Sequence, residues 1–293
     1  MQTNTQFYQI LNDRAFIKVG AKEVEGLEAF KFLQNLVTND ISGKEYLYSL
    51  LLSNTGRYLA DFFILNQSEA FYLLDTHKSS LERLIKILKI YKLRAKIDIT
   101  DETDNYVVAY STDRIKNTLS FKDPRTDILG YRTYLNKRIS TDERVRGYVF
   151  RNFELDNNLY NNHKYKFAIP EGETEMQYDK SLPPEFGMDH LNAISYTKGC
   201  YVGQEVIARA KYQGVVRKHI YKIISDQKLS PNEEIFSTDA ILKDLPENKI
   251  GKVCSCKQEI GIGLIRSNEA LIPAYGANEK VMSLQLAPWY KKT

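Results

Sequence analysis

The chain has 293 residues, and its 41 Lys and Arg against 37 Asp and Glu give a formal net charge of +4, too small by itself to indicate nucleic-acid binding. Hydrophobic residues make up 43% and charged residues 27%, which is typical of a globular chain and excludes a disordered one. No apolar run of about 18 residues is present, so no transmembrane helix is expected. The N-terminal segment lacks the layout of a signal or transit peptide, which predicts a cytoplasmic protein.

Hydrophobic periodicity predicts a mixture of strands and helices over the N-terminal half of the chain. The predicted strands are Arg14–Val19, Leu47–Ser53, Tyr58–Asn66, Lys96–Thr100, Tyr106–Tyr110 and Leu129–Leu135, and the predicted helices are Gly26–Val37, Lys78–Leu93 and Asp142–Tyr160. The turn-forming residues 54–57 join two of these strands and predict a β-hairpin.

The pattern changes from Tyr221 onward. Short β-rich runs separated by Gly, Pro and Asn predict a small antiparallel barrel or sandwich. These runs are Tyr221–Ile224, Lys249–Ser255, Ile260–Arg266 and Lys280–Leu286. The sequence therefore predicts an α+β protein with an N-terminal body, residues 1–212, and a C-terminal β domain, residues 213–293.

The segment from Lys198 to Arg209, KGCYVGQEVIAR, carries the most chemical information. The spacing of its apolar residues predicts a helix that starts near Tyr201, with Cys200 at its N-terminus. The helix dipole and the nearby Lys198 would favour a thiolate there. A buried cysteine beside a helix cap is the alternative interpretation.

Other residues of this segment suit a ligand site. Glu205 and Arg209 are spaced as an i, i+4 ion pair. Gly199 and Gly203 would allow a ligand to approach the backbone closely.

The stretch KGCYVGQE followed by Arg209 resembles the signature of the YgfZ-type folate-binding proteins, whose mitochondrial relatives serve late iron–sulfur cluster assembly. The resemblance extends over nearly the whole chain. It also includes Phe32-Leu33-Gln34, Thr38-Asn39-Asp40, Tyr91-Lys92-Leu93-Arg94-Ala95-Lys96, Asp123-Pro124-Arg125, Leu129-Gly130, Ile169-Pro170-Glu171-Gly172, Gly251-Lys252-Val253-Cys254-Ser255 and Ala287-Pro288-Trp289-Tyr290.

The resemblance implies the fold of the wider superfamily, which includes the glycine-cleavage T protein. That fold is a folate-binding α+β body with a ferredoxin-like subdomain, followed by a C-terminal antiparallel β-barrel, with tetrahydrofolate in a central cavity. By the same resemblance, Cys200 is the functional or catalytic residue. The implied folate-binding residues are Asn39, Asp40, Asp61, Arg125 and Lys198, and the implied cavity edge is Lys198, Gly199, Tyr201, Gly203, Gln204, Glu205 and Arg209.

Departures from the T-protein pattern favour the YgfZ branch. T proteins typically lack the cysteine at position 200, and they carry an Asp-Asp pair where this chain has Ala60-Asp61. They also use a glutamate where this chain has Lys166, which offers no acceptor to the pterin N–H groups. We therefore expect an accessory protein that supports assembly or repair of iron–sulfur clusters, including those of tRNA-modifying radical enzymes. Its partners would be iron–sulfur enzymes or cluster-assembly proteins, with tetrahydrofolate or another reduced folate as cofactor.

The sequence leaves several alternatives open. Cys200 could be a nucleophile, a redox thiol or a transient cluster ligand, and a folate-dependent aminomethyl- or methyltransferase is the alternative activity. Cys254 and Cys256 are expected to pack in the β domain, with no resident metal site. Two basic stretches could contact tRNA, although a solvated basic face is the simpler interpretation. They comprise Lys78, Arg83, Lys86, Lys89, Lys92, Arg94 and Lys96, and Arg209, Lys211, Arg217, Lys218 and Lys222.

Overall fold

The computed structural model describes residues 5–21, 27–68, 71–137, 142–214, 216–237, 249–266, 274–276 and 280–290. Its contacts divide the chain into two compact units. Unit 1 comprises Met1–Leu52, Leu59–Asn161 and Asn192–Val202, and unit 2 comprises Ser53–Tyr58, Asn162–Leu191 and Gly203–Thr293. The units alternate along the chain, whereas the sequence predicts one boundary after residue 212.

Unit 1 is built around two five-stranded sheets. The first has the strand order β10-β1-β7-β9-β8 and the second β3-β4-β5-β2-β6. The strands are β1 Gln6–Leu11, β2 Arg14–Ala21, β3 Tyr46–Leu52, β4 Tyr58–Ser68, β5 Phe71–His77, β6 Ile97–Asp101, β7 Tyr106–Ser111, β8 Leu119–Lys122, β9 Tyr131–Asn136 and β10 Phe153–Leu155.

The second sheet is covered by helices α1 (Glu28–Gln34) and α2 (Leu81–Lys92). Leu84 and Leu88 of α2 are buried in the same apolar cluster as α1, as the helical spacing predicts. The predicted helix start at Gly26 lies outside the described residues. The predicted hairpin is present as β3 and β4, with Gly56 at φ +71° in its turn, where a residue without a side chain avoids strain.

The prediction of one helix over Asp142–Tyr160 is wrong. The chain instead forms α3 (Glu143–Val149), the short strand β10 and α4 (Leu159–Lys166). Two long-range interactions override the local helical pattern: Phe150 stacks on Tyr8 at 3.9 Å, and β10 pairs in parallel with β1. Sequence periodicity cannot reveal Tyr8 or β1 as partners, because both lie about 140 residues away along the chain.

Unit 2 contains the predicted barrel. Six strands close on themselves in the order β11-β14-β13-β12-β15-β16. They are β11 Lys218–Ser225, β12 Glu234–Ser237, β13 Lys249–Lys257, β14 Ile260–Arg266, β15 Ala274–Tyr275 and β16 Val281–Leu286, and the unit also holds α5 (Gly172–Glu175) and α6 (Gln204–Tyr212). The predicted α+β class with a C-terminal antiparallel barrel is confirmed.

Segment 162–191 belongs with the barrel because specific bonds hold it there. The indole Nε1 of Trp289 donates to the backbone oxygens of Phe167 and Ala168. The buried carboxylate of Glu175 accepts a hydrogen bond from Ser255 and pairs with Lys164 at 2.9 Å. Among the described residues, no helix combines the length and the hydropathy needed to cross a membrane.

Candidate functional site

The loop that carries Cys200 alternates buried anchors with exposed residues. Lys198 and Tyr201 are each only 7% exposed, whereas Cys200 lies in the exposed class. Val202 packs against the apolar core of unit 1. A side chain added at Gly199 would meet no atom within 4 Å. The anchors therefore fix the loop while the thiol and the adjacent backbone face open space.

Lys198 is fastened to the end of helix α1. Its Nζ atom donates hydrogen bonds to the backbone oxygens of Gln34, Val37 and Asn39 at 2.7, 2.7 and 2.9 Å. These bonds satisfy carbonyl groups at and just beyond the negative end of the helix dipole. Burial lowers the pKa of Lys198 to about 8, although the nearby Asp40 opposes this shift.

The Asn39-Asp40 segment is held just as firmly. The Asn39 Nδ2 atom donates to the backbone oxygens of Tyr48 and Asn192 at 2.8 and 2.6 Å. Asp40 accepts from the backbone N–H of Ser42, and this bond holds the pKa of its carboxyl below the usual value. Both residues shape the loop that Lys198 caps, and Asp40 stays partly exposed.

Asp61 lies on β4 and is 3% exposed. Its carboxylate accepts a hydrogen bond of 2.6 Å from the hydroxyl of Tyr48. The side chain therefore lies in the interior. A buried carboxylate with a hydroxyl partner is a preformed acceptor for N–H donors.

Arg125 is fully buried, and its guanidinium binds the carboxylate of Asp123 through Nε and Nη2 at 2.9 and 2.8 Å. Nη2 also donates to the hydroxyl of Tyr160. Desolvation would raise the pKa of Asp123, but the buried arginine beside it keeps that carboxyl's pKa below its usual value. A direct contact between Arg125 and a ligand would require this ion pair to separate.

Tyr48 and Asn192 connect three of the predicted folate-binding residues, Asn39, Asp61 and Arg125, and neither was predicted from the sequence. Tyr48 bonds Asp61 through its hydroxyl, accepts from Asn39 at its backbone oxygen, and lies 5.3 Å below the guanidinium of Arg125. Asn192 donates to the backbone oxygen of Arg125 and accepts from Asn39. Tyr48 lies within an apolar strand and Asn192 in an irregular loop, so neither carries a local signal.

The signature helix starts later than predicted. α6 begins at Gln204 rather than near Tyr201, because Gly203 adopts a left-handed conformation at φ 81° that cannot belong to a right-handed helix. The helix dipole acts most strongly within the first turn of the helix. Cys200 lies before that turn, so the dipole favours its thiolate less than the sequence predicts. The expected Glu205–Arg209 pair is present at 2.9 Å, with both side chains largely exposed.

The other two cysteines lie on β13 in the barrel. Cys254 is 6% exposed, and burial raises the pKa of its thiol to about 12. Cys256 packs against the barrel core, and burial raises its pKa as well. Within the described ranges, no group of three His, Cys, Asp or Glu side chains is arranged to hold a metal ion.

The sequence is similar to those of known proteins over most of its length. The chain is 30% identical over 263 residues to an iron–sulfur cluster assembly factor IBA57 homolog, mitochondrial, of Dictyostelium discoideum, covering 74% of this chain and 62% of that protein. The homolog of Mycosarcoma maydis is 32% identical over 223 residues, covering 69% and 54%, and mouse IBA57 is 27% identical over 286 residues, covering 88% and 76%. The chain belongs to the YgfZ-type family.

Structural comparison agrees with this assignment. A solved structure of the glycine-cleavage aminomethyltransferase T from Bartonella henselae matches with a TM-score of 0.75 at 11% identity, covering 98% of this chain and 86% of that protein. At this identity the likeness establishes the T-protein fold alone. No family model matches the sequence.

The Dictyostelium and Mycosarcoma relatives differ from this chain in length. The chain spans less than two thirds of the length of the Dictyostelium and Mycosarcoma relatives. Those relatives are named as mitochondrial, so the cytoplasmic location expected from the sequence stays a prediction.

Proposed function

We propose that this protein supports the assembly or repair of iron–sulfur clusters, with Cys200 as the thiol that meets the cluster or its protein client. The observation that carries the proposal is the exposed Cys200 held between the buried anchors Lys198 and Tyr201. The names of the IBA57 relatives support the role in cluster assembly, and the assignment of Cys200 rests on its exposure. An exposed thiol on a fixed loop can reach iron or a partner without prior unfolding.

Such a cluster would be cargo shared with a partner. Cys200 has no neighbouring pair of ligand-type side chains among the described residues, so it supplies one ligand at most. The remaining ligands would come from the partner, which we propose is a cluster-assembly protein or an iron–sulfur enzyme. Thiolate ligation would replace the proton on sulfur by an iron–sulfur bond, with no change in oxidation state.

We propose that tetrahydrofolate binds as the cofactor beside Tyr48 and the residues that it contacts, which are Asn39, Asp61 and Arg125. Asp61 would accept hydrogen bonds from the N–H groups of the pterin ring, with the Tyr48 hydroxyl yielding its place. The partly exposed Asp40 would contact the ligand beside it. Lys198 and Arg125 would act as positioning residues, because their cationic groups already bind backbone oxygens and Asp123, respectively.

A rescue assay tests the cluster function. A bacterial strain that lacks its own YgfZ-type protein receives this chain, its Cys200→Ser variant or the matched control Cys256→Ser. The measured activity is that of a 4Fe–4S enzyme, such as one that methylthiolates tRNA. We expect rescue by the wild type and the control but not by Cys200→Ser. Equal rescue by all three would show that the cluster function does not require the Cys200 thiol.

Titration with tetrahydrofolate tests the cofactor separately. We expect Asp61→Asn to weaken binding by about tenfold or more, since it removes a charged hydrogen-bond acceptor. The control Asp13→Asn changes a carboxylate that is 62% exposed and should bind as the wild type does. Unchanged affinity of Asp61→Asn would exclude Asp61 from the folate site.

A folate-dependent aminomethyltransferase is the second candidate, favoured by the T-protein fold together with the buried Asp61 carboxylate. Asp61 would orient the one-carbon unit of the folate. Turnover of an aminomethyl donor by the purified protein with tetrahydrofolate would support it, and absence of turnover would leave the accessory role. Contact with tRNA through exposed basic residues such as Lys86 and Lys89 stays a prediction.

A further inference from the structure

A cavity of about 350 Å³ lies in unit 1 between two segments that contain no signature residue. One wall is the loop between β7 and β8, and the other is the end of α3 with the turn that follows it. Three cationic side chains line the cavity, from Arg114, Lys116 and Arg151, and no Asp or Glu lines it.

The loop after β7 is fixed in place by the core. Ile115 is buried in an apolar cluster that also contains Tyr8 and Phe150. The Oγ1 atom of Thr118 donates a hydrogen bond of 2.6 Å to the backbone oxygen of Ile115. Because Ile115 points into the core, its two chain neighbours, Arg114 and Lys116, are held at the surface on a loop of defined shape.

The opposite wall depends on the same apolar cluster. Phe150 stacks on Tyr8 with an interplanar angle of 9°, and the backbone N–H of Phe153 bonds the oxygen of Phe150 at 2.8 Å. This turn presents Arg151 to the cavity. Beside it the ring of Tyr148 is 72% exposed, with the guanidinium of Arg151 5.6 Å from its centroid.

The charges around this cavity are not balanced by the described parts of the protein. Within those parts, none of the three cations forms an ion pair. The carboxylates of the flanking segments lie outside the cavity lining. Asp113 accepts a hydrogen bond from Thr112, Glu143 lies 3.9 Å from Arg146, and Glu154 is exposed on β10. Like charges held close together cost free energy, which an anionic ligand would recover.

We propose that this cavity binds a nucleoside diphosphate, with the diphosphate on Arg114, Lys116 and Arg151 and the base against Tyr148. Three cations match a group that carries about three negative charges at neutral pH. Arginine suits phosphate because its planar fork forms paired hydrogen bonds. An exposed aromatic ring beside the cations supplies a stacking surface for a base. The cavity volume is in the range that holds a small ligand.

Calorimetric titration of the intact chain with ADP, pyrophosphate and adenosine tests the proposal. We expect ADP to bind more tightly than pyrophosphate, and adenosine to show no saturable binding. The double variant Lys116→Gln/Arg151→Gln should lose about 100-fold in affinity for both phosphates, since each charge-assisted bond contributes about tenfold or more. The control Arg144→Gln removes an exposed cation on α3 outside the cavity lining and should bind as the wild type does.

Tyr148→Ala separates the base from the phosphates. We expect this variant to bind ADP no better than pyrophosphate while its pyrophosphate affinity stays at the wild-type value. No saturable ADP binding at millimolar concentration, or unchanged affinity of the double variant, would overturn the proposal. RNA binding that the double variant weakens, without saturable ADP binding to the wild type, would also overturn it and assign the surface to nucleic acid.

Discussion

The Cys200 loop and the barrel strand β13 place their thiols in opposite surroundings. Cys200 is exposed beside a glycine with open space around it, whereas Cys254 is 6% exposed and its thiol pKa is raised to about 12 by burial. Both regions use buried anchors, but on β13 Cys254 is itself buried and Cys256 is half-buried. A cysteine therefore becomes available for chemistry when its neighbours, rather than its own side chain, hold the backbone in place.

The largest difference between the two regions should be in alkylation. Native protein treated with iodoacetamide near neutral pH should be modified at Cys200 at least about 100-fold faster than at Cys254, because a buried thiol reacts only after local opening. Mass spectrometry of the digested protein measures both rates. Comparable rates at the two sites would mean that β13 opens readily and that its thiols are not protected by burial.

Removal of the Lys198 anchor should cause the next largest effect. Lys198→Met leaves three backbone oxygens without their charged donor, and we expect the free energy of unfolding to fall by about 3 kcal/mol. Lys86→Met, at an exposed position on α2, is the control and should change stability little. Urea unfolding measures both variants. A loss below about 1 kcal/mol for Lys198→Met would show that these bonds do not anchor the loop.

Replacement of a glycine by alanine should lower the stability of the protein in the barrel but not in the Cys200 loop. In the barrel, an alanine side chain at Gly251 would come within 2.6 Å of Ile265 and closer still to the backbone oxygen of Leu264, so Gly251→Ala should destabilise by about 2 kcal/mol. Gly199→Ala meets open space and should stay within about 0.5 kcal/mol of the wild type. Thermal unfolding compares the two. Similar losses in both would contradict the open surroundings of the Cys200 loop.

The smallest expected effect concerns pH. The folded state raises the pKa of Cys254 from 9.0 to about 12, so above pH 9 the unfolded state releases a proton that the folded state retains. Stability should therefore fall with rising pH, by about 1 kcal/mol between pH 9 and about pH 10 from this group. Urea unfolding of the wild type and Cys254→Ala at the two pH values isolates this contribution. An equal slope in both would place the titration elsewhere.

Parts of the fold were predictable because their signals are local. Four of the six barrel strands, the β3–β4 hairpin and helix α2 follow from patterns within a few residues, whereas the short strands β12 and β15 were not predicted. The helix predicted over Asp142–Tyr160 failed because Phe150 stacks on Tyr8, a partner far away along the chain.

The candidate site divides in the same way. The signature identified Lys198 and Cys200, but the burial of Lys198 and the exposure of Cys200 depend on the tertiary structure. Tyr48 and Asn192, which connect Asn39, Asp61 and Arg125, have no local sequence signal. The late start of α6 depends on the left-handed conformation of Gly203, which composition alone does not reveal.

The most direct test of the account uses a chain in which Cys200 is the only cysteine. The variant Cys254→Ala/Cys256→Ala is placed in the strain that lacks its YgfZ-type protein, beside the wild type and Cys200→Ser, and the activity of a 4Fe–4S enzyme is measured at matched protein levels. We predict that the chain with Cys200 alone restores activity to the wild-type level and that Cys200→Ser does not. Failure of the folded Cys200-only chain, with rescue by Cys200→Ser, would place the functional thiol in the barrel and contradict the account.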